Sequence, residues 1–344
     1  MKHLSRLCWL IVTLLAVSAA AACGGGSSST GGSDAGLAAL KGKSIGLPAL
    51  DTVSALELRY LLHEAAGLNA SAQAGDVTFV ETPGDSLPDM LKSGAIDAAL
   101  LPPQIAFGLR DDESYRVLSH VTKGARARTG EPILGTVLVT YRDEANANPD
   151  ALAETKRLLK ESVSYFEANE RAVLDAIIRR QGLDESYVRW QSERQRAVFG
   201  VSSKRVQEQL LDVWEAAKTL GDIKDYPALT EVLFSPDQAT LRAAAPQGER
   251  TTISIAVLDD ATRRGALYAI EQGIVRSGLV DLDITYLPLS GLGEATGSHE
   301  YDIVEASPLV VPTAKDNRLD LVVLSGGVQD LDSTLLFVRA AQRP

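Results

Sequence analysis

Carboxylates, hydroxyls and an amide collect at one kind of place in this chain, the carboxyl ends of its short apolar runs. Asp51, Thr52 and Ser54 follow the run at 44–47, and Pro102 and Gln104 follow the run at 96–101. Asp259, Asp260 and Thr262 follow 253–257, and Ser307 follows 301–304. In an open α/β fold, ligands bind at these positions, where helix N-termini present free N–H groups. The set is therefore a candidate ligand site, although Asp, Ser and Thr there also cap the helices they precede. Its three aspartates favour a cationic or hydrogen-bond-donating ligand. Reaction chemistry has less to stand on. His3, His63, His120 and His299 are scattered without H-x-x-x-H spacing, and the G-x-S-x-G spacing at Gly42-Lys43-Ser44-Ile45-Gly46 runs into a strand, so it is no nucleophile elbow. Gly42-Lys43-Ser44 ends like a phosphate-binding loop, but Leu37 stands where the leading glycine belongs and the triplet precedes a strand. Asp111-Asp112-Glu113 lacks the further spaced oxygen ligands of a calcium loop. No metal and no cofactor is expected.

Strands and helices must hold these positions. The pattern predicts strands at 44–47, 77–80, 96–101, 116–118 and 136–139, with helices at 54–66, 86–93 and 103–109. Asn148 before Pro149 starts a helix, and 148–244 reads almost wholly helical, broken at Gly182, Gly200, Gly221 and Ser235-Pro236. After a linker at 242–250, Ala-rich and then Pro246-Gln247-Gly248, strands resume at 253–257, 284–287, 301–304, 321–324 and 334–338, with a helix at 262–277. Alternation of this kind implies βαβ units and mainly parallel sheets. The two blocks run in step. Ser44-Ile45-Gly46 matches Ser254-Ile255-Ala256, Asp76-Val77-Thr78 matches Asp283-Ile284-Thr285, and Asp97 matches Asp302. The expected class is α/β, with two similar lobes, a ligand cleft between them and an added helical segment. The first lobe is placed at 40–140, a helical segment packing on the last lobe at 141–248, and that last lobe at 249–344. Trp190 and Trp214, inside the helical segment, are expected in the core.

The first residues point to export. Lys2 and Arg6, an apolar run at 7–17 and small residues at 18–22 have the three-part layout of a secretory signal. The run is about half the roughly 20 residues needed to span a bilayer. The Gly/Ser-rich stretch at 24–33 reads as a flexible tether, so 23–39 is expected to link an anchor to the fold. Cys23, between signal and tether, resembles the lipobox cysteine of bacterial lipoproteins, with Ala20 where leucine is usual. That resemblance implies an extracytoplasmic protein held to the membrane by lipid on Cys23. Loss of 1–22 removes Cys8, leaving no internal disulfide and no thiolate nucleophile in the folded part. The net charge of −11 becomes about −13 without Lys2 and Arg6. An acidic chain without basic runs argues against nucleic acid as partner and against direct docking on anionic lipid.

The phrase Leu40-Lys41-Gly42-Lys43-Ser44-Ile45-Gly46-Leu47-Pro48, then Gly67-Leu68, Asp76-Val77 and Gly94-Ala95-Ile96-Asp97-Ala98, resembles one family. It is the alkanesulfonate/thiamine-pyrimidine type of ABC-transporter substrate-binding protein, of type 2 periplasmic-binding class. The resemblance covers most of the chain from residue 40. It implies two α/β lobes joined by two crossing strands, with a small-molecule solute in the cleft. It further implies delivery by a monomer to an ABC permease and its ATPase, with no bond made or broken. Gly135-Thr136 and Gly326-Gly327-Val328-Gln329 precede the presumed crossings and are placed to line a hinge. The order departs from the family, because the phrase at 40–46 resembles the opening of its second lobe and here comes first. The chain thus reads as a circular permutant cut in a crossover, with 136–139 the one intact crossing, or as a tandem pair with a truncated second member. Two other functions stay open. One is an enzyme like the eukaryotic thiamine-pyrimidine synthase branch, which consumes its own histidine. The other is an extracellular sensor or adaptor using the same cleft.

Overall fold

The computed structural model describes residues 31–130, 132–236 and 250–340. The signal, Cys23 and residues 242–249 of the expected linker lie outside the described residues. Four strands come first: β1 (Ser44–Leu47), β2 (Thr78–Glu81), β3 (Ala98–Leu101) and β4 (Tyr115–His120). Next are β5 (Ile133–Leu134), β6 (Val137–Tyr141) and β7 (Gln195–Ala197). After them come β8 (Thr251–Leu258), β9 (Val280–Leu287) and β10 (Ile303–Ala306), then β11 (Leu321–Gly326), β12 (Val328–Asp330) and β13 (Leu335–Arg339). They form two five-stranded sheets, ordered β2-β1-β3-β13-β4 and β9-β8-β10-β6-β11, and a small sheet β5-β12-β7. In each large sheet the first three strands are parallel, and the fourth, β13 or β6, is antiparallel to both neighbours. The expected α/β class with two lobes is present. Every residue of β3 and β11 is buried, as sheets covered on both faces require, which is why these strands read as unbroken apolar runs.

A shared clasp fixes the start of each lobe. The Asp97 carboxylate accepts from the Ser44 N–H (2.9 Å) and hydroxyl (3.0 Å), and Asp302 accepts likewise from Ser254 (2.7 and 2.8 Å). Each serine oxygen in turn lies near the N–H of its aspartate, at 3.2 and 2.9 Å. The Ser44 N–H, with smaller help from the Ser44 hydroxyl and Lys43, holds the Asp97 carboxyl below its ordinary value against the effect of burial. The internal correspondence seen in sequence therefore has a side-chain counterpart.

Among the described residues, strands carry the chain between the lobes twice. It leaves the first along β5 and β6, and returns along β12 and β13. A permuted order expects 136–139 as the one crossing; β13 is a second, and it completes the first sheet between β3 and β4. The crossings are bonded to each other. The Gly135 and Thr136 N–H groups donate to the Val328 carbonyl (2.8 and 3.2 Å), and the Gly327 N–H donates to that of Thr136 (2.9 Å). A Cβ at Gly327 would collide with Thr136, so glycine permits this approach. Leu40, Val338 and Arg339 border one surface groove.

Several expected elements change. The stretch at 148–244 is not almost wholly helical, because β7 lies inside it, paired antiparallel with β12. Gln-Arg-Ala is too short to show a period-2 pattern, and tertiary pairing alone makes it a strand. The helix expected over 262–277 spans Ala261–Glu271, and Gly273 then turns the chain with φ 62°. The Pro149–Gln181 helix packs along Ala261–Glu271, where a Cβ on Gly265 would stand 2.7 Å from the Phe166 ring. The Lys204–Thr219 helix instead lies against β5 and the first-lobe helix Val53–Ala66. The tether expected through residue 39 ends earlier. Gly31–Ala38 is helical and packs on Val53–Ala66 and β4, burying Leu37, with Leu40 buried just beyond it.

Candidate functional site

The loops after β1 and β10 meet where the lobes face each other. The Ser307 hydroxyl donates to the backbone carbonyl of Asp51 at 3.2 Å. Ser54 Oγ stands 3.2 Å from Thr334 Oγ1 in the return crossing. These contacts mark a seam between the two sheets, and charged side chains fill its second-lobe side.

Arg263 is the centre of that side. It is 3% exposed; its Nε and Nη2 donate to Glu305 Oε1 (3.0 and 2.7 Å), and its Nη1 donates to Asp260 Oδ2 (2.6 Å). Glu305, 0% exposed, also accepts from the Leu258 N–H (3.1 Å) and the Thr136 hydroxyl (2.5 Å). Asp260 caps the Ala261–Glu271 helix by accepting from the Arg263 N–H at 2.9 Å, and takes another bond from Gln191 Nε2 at 3.0 Å. Gln191 donates to Gln195 Oε1, and Gln195 Nε2 donates to Ser333 Oγ at 3.1 Å. The Ser333 and Thr334 hydroxyls then donate to Asp330 (2.7 and 2.8 Å). One polar network thus runs from the second lobe's strand ends through β7 to the return crossing and Ser54.

Burial sets the electrostatics. It pushes the Asp260 carboxyl up, with Arg263 opposing, and pushes Asp330 up, with Ser333 opposing. Burial also works against the charge of Arg263, but Asp260 and Glu305 outweigh it and raise the guanidinium's value further. The seam therefore holds a fixed cation among carboxyls, two of which are biased toward their neutral form. Such a surface can accept and donate hydrogen bonds and take up or lose a proton as a polar guest binds. His120 ends β4 with Nδ1 2.9 Å from Asp332, and both are partly exposed. Among the described residues, no group of three or more His, Cys, Asp or Glu is placed to hold a metal ion.

The residues singled out by position divide. Asp51, Ser54, Asp260, Thr262 and Ser307 come together at the seam, Thr262 Oγ1 lying 3.4 Å from Gln195 Oε1. Thr52 caps Val53–Ala66, accepting from the Ala55 N–H at 3.3 Å. Pro102 begins the Pro103–Leu109 helix, and Gln104 is exposed on it. Asp259 pairs at the surface with Arg264 (2.7 Å), whose guanidinium lies 4.0 Å from the Tyr286 ring centroid. Trp214 is fully buried in the core. Trp190 is half-buried instead, on the Glu185–Ser192 helix, 5.6 Å from Phe107 of Pro103–Leu109 between ring centroids. An aromatic contact therefore bridges the lobes beside the polar network.

No family model matches the chain, and no curated protein sequence matches it. Among solved structures it is similar to an ABC-transporter substrate-binding protein of Listeria monocytogenes, at 11% identity over 76% of this chain and 55% of that one, with TM-score 0.32. It is similar to the solute receptor for L-cysteine of Neisseria gonorrhoeae at 11% identity, covering 90% of this chain and 81% of that one, TM-score 0.27. An ABC-transporter choline-binding protein is similar at 11% identity, over 87% and 72% of the chains, TM-score 0.28. The chain spans about half the length of the first of these. The two-lobe description rests on the chain's own sheet orders.

Position alone missed Arg263, Glu305, Gln195 and Asp330. Glu305 carried a signal, as a carboxylate inside the apolar run Ile303–Ala306 and two residues before Ser307. A charge in a buried strand needs a partner. Its partner, Arg263, lies 42 residues earlier, beside Thr262.

Proposed function

We propose that this chain is an extracytoplasmic solute-binding lipoprotein that captures a small polar molecule between its lobes and presents it to an ABC permease. One observation supports the reading. Two sheets of the same order, each completed by a strand crossing from the other half, meet at a seam lined by hydrogen-bonding side chains. Rotation about the paired crossings would part Ser307 from Asp51 and Phe107 from Trp190, and closure on a solute would restore them. The proposed contacts are Asp51, Thr52, Ser54, Pro102, Gln104, Asp259, Asp260, Thr262 and Ser307. The solute, a hydrogen-bond donor or cation, shares Asp260 with Arg263. No bond is made or broken. The phrase-level resemblance at 40–98 suggests the alkanesulfonate/thiamine-pyrimidine type.

Trp190 reports on this seam. Titrating the purified protein with a panel of small polar solutes should give a saturable emission change with at least one of them. Asp260→Asn should weaken that solute about tenfold, the loss of one charge-assisted bond. If no solute moves Trp190 emission and denaturing mass spectrometry finds no small molecule carried by the protein, the binding reading fails.

The anchor is tested separately, on the motif at 18–23. Cys23→Ser should release the protein from membranes into the soluble extracytoplasmic fraction. A variant that stays membrane-bound to the same extent as wild type would remove the lipid anchor from the proposal.

A further inference from the structure

A cavity lies beside the seam on the first-lobe side, between the helices Val53–Ala66, Val121–Thr129 and Lys204–Thr219. Its volume is about 120 Å³, and none of the seam network's residues lines it. Buried Val53, Leu56, Ala125 and Val213 give it apolar walls. Exposed Asp212 and Glu215 also line it, and no lysine or arginine does. The remaining charged residue of the lining is Glu57, which is 4% exposed.

Glu57 is only half satisfied. Its Oε2 accepts from the Thr122 hydroxyl at 3.0 Å, while Oε1 is buried and has no hydrogen-bond partner among the described residues. A buried carboxyl oxygen without a donor is costly, and such groups are few in folded proteins. Burial, then the nearby charge of Asp330, pushes the Glu57 carboxyl well up, with Thr122 opposing. The surroundings extend the same field. Burial and then Glu64 and Asp212 push the Tyr60 phenol up in the same lining, with Arg128 opposing.

We infer that this cavity is a binding site for a small organic cation, a primary ammonium on a short apolar body, with Glu57 as its counter-ion. At about 120 Å³ the cavity is somewhat smaller than the roughly 150 Å³ that admits benzene, which suits an ammonium on a short chain. An ammonium supplies the missing donor to Oε1, and its alkyl chain lies against the valine, leucine and alanine walls. A bare metal ion fits poorly, because among the described residues the carboxylates of the lining do not converge as a group that could hold one. The cation draws the proton from Glu57 as it enters, so binding releases a proton to solvent.

n-Butylammonium chloride is the probe, measured by isothermal titration calorimetry on the full chain at pH 7 in two buffers of different ionisation heat. Wild type should bind it with Kd of about 1 mM or tighter and release protons. The neutral analogue 1-butanol should bind at least about tenfold more weakly. Glu57→Gln keeps the shape and should cost at least about tenfold in affinity and abolish proton release. Ala216→Leu, on the opposite wall, should block the cavity while leaving Glu57 in place, which keeps the inference testable where Glu57→Gln fails to fold. No saturable binding by wild type, or unchanged affinity in either folded variant, overturns it. A Trp190 emission response to seam solutes is independent of these outcomes, so the two readings fail separately.

Discussion

Arg263→Met should destabilise the folded protein by about 3–5 kcal/mol at pH 7, as read by urea unfolding, because it leaves Asp260 and Glu305 buried without their cation. Methionine fills much of the same space, so little of the loss is cavity. The pH dependence identifies the cause. Asp260 already has a folded-state value above 3.8, owing first to burial, and Arg263 opposes that rise. A carboxyl raised on folding contributes stability below its unfolded value and loses it as pH climbs through the folded value. Without Arg263 the folded value moves higher, so the variant's deficit should be greatest at neutral pH and shrink as pH falls toward 4. Adding Glu305→Gln to Arg263→Met should recover part of the loss. A deficit under about 1 kcal/mol with no pH dependence would mean the ion network contributes little.

Trp214→Ala should cost about 3–5 kcal/mol, the range for emptying a large aromatic site in a core. The side chain is fully buried, its Nε1 donates to the Pro308 carbonyl at 2.9 Å, and its ring lies 5.5 Å from that of Tyr226. It therefore ties the Lys204–Thr219 helix to the turn that holds Ser307. Trp214→Phe, which keeps most of the ring but loses the donor, should cost less, about 1–3 kcal/mol. Urea unfolding of both variants checks the order. Equal losses in the two would show that the hydrogen bond to Pro308, lost in both, decides the effect and that the ring volume kept by phenylalanine contributes nothing.

The strand and helix alternation was legible because each strand is a short apolar run ended by a polar turn. The pairing of Ser44 with Asp97 and of Ser254 with Asp302 appears in sequence as matched positions in two blocks. What the positions at strand ends would do was only half legible. Thr52 and Asp260 cap helices, as such residues do, and Asp260 also enters the seam network. The Arg263–Glu305 pair was hidden, because an arginine one position beyond Thr262 carries no local pattern. Its meaning comes from a strand end 42 residues away. The small sheet was hidden for a different reason. Strands of two or three residues, such as β5 and β7, are defined by their partners and not by any period of their own.

The placement of β13 sets an order on assembly. It lies inside the first sheet, between β3 and β4, yet among the described residues it is the last strand to be synthesised. Until residues 335–339 emerge, β3 and β4 have no bridge, and the first lobe keeps two open edges through the whole synthesis of the second. The second sheet suffers no such delay, because all its strands lie between residues 137 and 326. Closing a sheet across so long a stretch is slow, since the loop must be gathered before the pairing rewards it. The leading lobe therefore cannot lock early, and the chain reaches its final shape only after its tail has been made.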